Sequence, residues 1–172
     1  FIQLEGNLDP NDKEIIIDNF STSINKDLYE GSVKLNLKEF SADGILTKIS
    51  RKKIFHDLDL DLDSKNMKFL VNENEFNIEG NITLGGINFF LKGKKNYKDK
   101  NKYISKYNLS GNIDENDIEK SINFKVAPYV KGLIEFNATY FIFQGNKEKI
   151  KTSNKLKETE LNFPFLAITK NK

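Results

Sequence analysis

The sequence predicts an all-β protein with one short helix, built as a long curved antiparallel meander with one apolar and one polar face. Two observations lead there. Apolar residues recur at every second position: Val33, Leu35 and Leu37; Leu58, Leu60 and Leu62; Phe76, Ile78, Ile82 and Leu84; Ile134, Phe136, Ala138, Tyr140 and Ile142. Successive strand side chains point to opposite faces, so each run builds one apolar face. Turn signals also recur roughly every ten to fifteen residues, the spacing of a meander of paired strands.

The first strand is read at Phe1–Leu4, closing at Gly6–Asn7, with Asp9–Pro10–Asn11–Asp12 as a turn. Ile15 to Phe20 is a strand, Glu30–Gly31 a break, and Ser32 to Phe40 alternates cleanly. Gly44 punctuates before a strand from Ile45 to Ser50, and Arg51–Lys52–Lys53 is a basic turn. His56 to Asp63 and Met67 to Val71 follow as strands. Phe76–Leu84, Gly85–Gly86 and Ile87–Leu91 form the strongest hairpin signal, because paired glycines supply the positive φ of a tight two-residue turn. Lys92 to Lys102 reads as a Lys- and Asn-rich loop, and Tyr103, Tyr107 and Leu109 lead into Gly111. Asp114 caps a helix to Ser121, with Glu115 and Asp117 in the first turn, where the dipole favours anions. Strand resumes at Phe124–Val126 and Leu133–Phe143, turns at Gly145–Asn146, and ends with Leu161–Thr169.

Composition narrows function. The 172 residues contain 14 Phe and 6 Tyr, enough for large apolar faces, and the net charge is only +2. A dedicated nucleic-acid binder carries a concentrated basic excess, so that class is disfavoured. The absence of Cys removes disulfides, thiolate catalysis and Cys-ligated zinc. No catalytic set, metal centre or cofactor motif is present: Gly85–Gly86 lies in neither phosphate-loop pattern, and His56, the only histidine, has no partner set. Glu73 and Glu75 likewise lack a base partner. Asp57, Asp59, Asp61 and Asp63 alternate with leucines on an extended strand; same-face carboxylates there repeat at nearly 7 Å, which suits a solvated face better than one calcium ion. The lysines of residues 92–102 read as a solvated loop, with lipid headgroups and nucleic acid as the sharper alternatives.

From Phe76 onward the order of features resembles a known family. An alternating strand reaches a Gly turn, Asn81-Ile82-Thr83-Leu84-Gly85-Gly86-Ile87, and re-enters as Phe89-Phe90-Leu91. Leu109-Ser110-Gly111-Asn112-Ile113-Asp114 opens an acidic helix, and Tyr129-Val130-Lys131-Gly132 and Leu161-Asn162-Phe163-Pro164 follow. This is similar to the AsmA-like superfamily of bacterial envelope proteins, in particular its large YhdP-type members. Residues 76–172 carry the resemblance and 1–75 continue the β pattern, so the chain reads as one internal β-rich segment of a larger protein. The resemblance implies a periplasmic, inner-membrane-anchored protein whose β-groove conducts phospholipids, with other envelope proteins as partners and the membrane reached through regions outside this segment. The expected lipid-facing set is Leu58, Leu60, Leu62, Phe76, Ile78, Ile82, Leu84, Phe136, Ala138, Tyr140 and Ile142. The alternative is a closed β-sandwich, an adhesin-like structural module whose apolar face is an ordinary core.

Overall fold

In the computed structural model, residues 2–9, 13–51, 61–98, 103–122, 125–127, 129–163 and 168–170 are described. The strands are β1 (Ile2–Asp9), β2 (Glu14–Ile24), β3 (Asp27–Asn36), β4 (Ser41–Arg51), β5 (Leu62–Ser64), β6 (Met67–Val71), β7 (Glu75–Leu84) and β8 (Ile87–Asn96). Then come β9 (Ser105–Ile113), helix α1 (Glu115–Ile122), β10 (Val130–Ile142), β11 (Glu148–Phe163) and β12 (Ile168–Lys170). All twelve belong to one sheet, antiparallel throughout and ordered as in the chain. β5 and β6 share the place between β4 and β7. The predicted meander is present, and among the described residues there is one sheet.

Local chemistry sets the turns. Gly85 and Gly86 have φ of 57° and 85° and join Leu84 to Ile87, the tight hairpin read from the sequence. Asn25 and Lys26 also take positive φ, so β2 and β3 join by a two-residue turn as well. The Asn36 side chain accepts bonds from the amides of Lys38 and Glu39, and Asn72 does the same for Asn74 and Glu75. These asparagines close turns by mimicking backbone.

Several boundaries differ from the sequence reading. Gly6 and Glu30–Gly31 do not break strands but lie inside β1 and β3, and Gly44 lies inside β4 beneath the Phe69 ring. Leu37 falls beyond the end of β3 and is exposed. Lys92, Lys94 and Lys95 sit on β8 and not in a loop, because the ladder with β7 runs on to Asn96. Lys125 and Val126 are not strand. The span Glu148–Glu160, not read as strand at all, is most of β11 and pairs along β10. The expected features at Pro10–Asp12, Lys52–Leu60, Phe124 and Pro164–Ala167 lie outside the described residues.

Bulges keep the faces in phase. The extra residues sit in β2, where Asp18 and Asn19 separate Ile17 from Phe20 and shift the register toward both β1 and β3, in β4 at Thr47, opposite Glu30/Gly31, and in β11 between Lys155 and Glu158, opposite Leu133–Glu135. The β2 and β4 bulges flank β3, since Phe20 and Leu46 both oppose Gly31. After the shift, Phe20 stands on the face of Ile17, so apolar residues stay on one side. Beside the β11 bulge the Leu133 carbonyl accepts the Thr159 hydroxyl at 2.6 Å, which satisfies a fully buried threonine.

Helix α1 forms where expected. The Asp117 amide donates to Asp114 Oδ1 at 2.9 Å, and the Asp114 amide donates to Asp117 Oδ2 at 3.2 Å, a reciprocal cap. Glu119 then accepts the amides of Val126 and Ala127, and Glu115 that of Gly132. The helix carboxylates thereby tie down the start of β10.

Candidate functional site

The register aligns the apolar residues on one face across the sheet. Leu62 opposes Leu84, Ile78 opposes Gly93, Ile82 opposes Phe89, and Leu84 opposes Ile87. Continuing outward, Leu91 opposes Leu109, which opposes Ala138; Tyr107 opposes Tyr140, and Gly111 opposes Phe136. Toward the start, Phe69 opposes Ile78 and Gly44, and Val33 opposes Gly44 and Ile17. Nine of the expected residues, Leu62, Phe76, Ile78, Ile82, Leu84, Phe136, Ala138, Tyr140 and Ile142, therefore share this face. Leu58 and Leu60 lie outside the described residues.

The face is packed at its middle and half-open elsewhere. Ile49, Met67, Ile82 and Phe89 form a buried cluster, with Met67 at 1% and Ile82 at 3% exposure. Tyr29, Leu46, Leu91, Leu109, Ile113 and Phe136 pack around it. Phe89 and Phe136 meet at 5.8 Å between ring centroids, and Tyr107 stacks on Tyr140 at 6.3 Å. The other eight expected residues are only half-buried. Sequence reasoning missed Ile49, Met67 and Phe89 as the centre of this face; Met67 and Ile49 are displaced from simple alternation by irregularities in β4 and β5–β6.

The margins are polar. Arg51 Nε pairs with Asp27 at 2.9 Å at one end of β3–β4, and Lys95 stands beyond Phe76 at the other end. Burial raises the phenol pKa of Tyr29, against the lowering effect of Arg51. Burial, with a hydrogen bond to Glu148, raises that of Tyr140.

The opposite face is charged and carries the larger hollows. One of about 1040 Å³ is lined by Glu30, Lys48, Asn81, Thr83, Asn88 and Phe90, and one of about 470 Å³ by Lys68, Asn77, Glu79, Lys92, Lys94 and Lys106. Asp63 lies on this face, exposed. Cross-strand ion pairs tie it together: Lys34 to Glu14 at 2.8 Å, Lys92 to Glu79 at 3.2 Å and Lys155 to Glu135 at 2.8 Å. Hydrogen bonding to Lys94 holds the Glu75 carboxyl below its usual range.

No family model, curated protein or solved structure matches the chain.

Proposed function

We propose that this chain is a non-enzymatic β-groove module of an AsmA-like, inner-membrane-anchored periplasmic protein, shielding phospholipid acyl chains on its apolar face. One observation carries the reading: the apolar side chains of nine or more strands share one face, and among the described residues no second sheet covers it. Each CH₂ moved from water onto that face contributes about 0.8 kcal/mol, so micromolar retention, about 8 kcal/mol, takes on the order of ten methylenes of contact, fewer than one acyl chain carries. The order of motifs from Phe76 to Pro164 supports the family assignment and, through it, the lipid and the compartment.

The test is site-specific photocrosslinking to phospholipid. A crosslinker at Ile78, Phe136 or Tyr140 should capture lipid, whereas one at Ser21 or Ser32, on the polar face of β2 and β3, should not. Capture from the polar positions alone, or from neither set, overturns the reading. Ile78→Asp should reduce lipid uptake while β circular dichroism persists.

A further inference from the structure

The polar face bears a basic patch that its own carboxylates do not neutralise. Two adjacent cross-strand rows run from β6 to β11. In the first, Asn77 opposes Lys94, Lys94 opposes Lys106, Lys106 opposes Phe141, and Phe141 opposes Lys149. In the second, Lys68 opposes Glu79, Glu79 opposes Lys92, Lys92 opposes Asn108, and Thr139 opposes Lys151. Six lysines thus stand against Glu79 and the neighbouring Glu75, a local net of +4 in a chain whose total is +2.

The arrangement works against the sheet's own stability. Lys92 and Lys94 meet Glu79 and Glu75, as Lys34, Lys48 and Lys155 meet glutamates elsewhere on this face, but among the described residues no carboxylate stands opposite Lys106, Lys149 or Lys151. Here Lys94 faces Lys106 directly, and like charges placed opposite each other are destabilising. Lys106 and Lys151 both lie over the Phe141 ring, at 5.8 and 5.9 Å from its centroid, which concentrates charge further. A locally unfavourable charge pattern of this kind marks a surface selected for something other than folding.

We propose that this patch docks the protein on the surface of an anionic phospholipid bilayer. The rows cross six strands, a span of about 24 Å at the usual strand spacing, broad enough for several headgroups. The charges are all lysine; Arg51, the only arginine in the chain, lies on the other face. Leu70 and Phe90, each 43% exposed, flank the rows on the same face. A bilayer interface accepts such apolar side chains among lysines, whereas a phosphodiester backbone gives them nothing to contact. The patch lies on the opposite side of the sheet from the apolar face and does not depend on what that face holds.

Flotation of the 172-residue chain with vesicles tests this. Retention on phosphatidylglycerol–phosphatidylcholine vesicles should exceed that on pure phosphatidylcholine and fall steeply with added salt. Each patch lysine should contribute about fivefold, so Lys106→Gln with Lys151→Gln should weaken anionic-vesicle binding about 25-fold. Lys48→Gln, on the same face but outside the rows, should leave binding unchanged. Circular dichroism reports the fold of each variant, and the wild-type salt series stands without any variant. Ile78→Asp should keep the anionic preference even where lipid uptake is lost, which separates this proposal from the apolar-face reading. Equal retention on neutral and anionic vesicles, insensitivity to the lysine substitutions, or tighter binding to a DNA duplex than to the vesicles would each overturn it.

Discussion

Individual side chains show where stability resides. Ile82 and Phe89 are buried between strands of the same sheet, so their contacts come only from neighbours on one face. Ile82→Ala should cost about 2–5 kcal/mol, read as a lower urea midpoint. Gly80 is constrained differently. A Cβ there would lie 2.9 Å from the Met67 Cα and 3.1 Å from the Asn66 carbonyl oxygen, so the ladder can close over Met67 only if position 80 lacks a side chain. Gly80→Ala should therefore lower the midpoint although it adds apolar surface. The tyrosines give a pH signature. The phenol pKa values of Tyr29 and Tyr140 are raised by burial. The folded state thus favours the neutral phenol; the contribution is complete below the ordinary tyrosine pKa of about 10 and lost as pH rises through the raised value. Urea midpoints should fall on the alkaline side, and less steeply in a Tyr29→Phe, Tyr140→Phe variant.

At the scale of elements, legibility followed the strength of local signals. The β7–β8 hairpin was readable because Gly85–Gly86 is flanked by apolar alternation, and helix α1 because Asp114 precedes an acidic first turn. Asp114→Ala removes half of the reciprocal cap and should cost about 1 kcal/mol, measurable by thermal melting. β11 was unreadable. Between Glu148 and Glu160 only Ile150 and Leu156 are apolar, and Ile150 is 65% exposed. That strand exists because β10 beside it offers a complete ladder, a tertiary cause that leaves no periodicity behind. Glycines misled in the opposite direction. Gly31 and Gly44 read as breaks, yet each is overlain by a neighbouring strand or ring and sits mid-strand. The apolar face itself was legible, since alternation alone assigned the nine described members to one side. Its centre was not, because the irregularities around Leu46 and Lys65–Asn66 move Ile49 and Met67 out of simple count.

For the molecule as a whole, the decisive property is one apolar face on a single sheet, packed at its centre and half-buried around it. An environment-sensitive apolar dye should bind the native chain, brighten, and be displaced by phospholipid; a sandwich with a sealed core would leave the dye dark until unfolding begins. The bulges carry a last consequence, in the tolerance of the chain to changes of length. A strand of period two behaves like a reading frame: one residue inserted into β7, which has no bulge, sends every later side chain of that strand to the wrong side. Between Ile17 and Phe20 in β2, and at Thr47 in β4, the count has already slipped and been restored. Single-residue insertions and deletions should therefore be absorbed at those two sites and rejected in β7 and β8, so that variation in strand length gathers in the first third of the sheet.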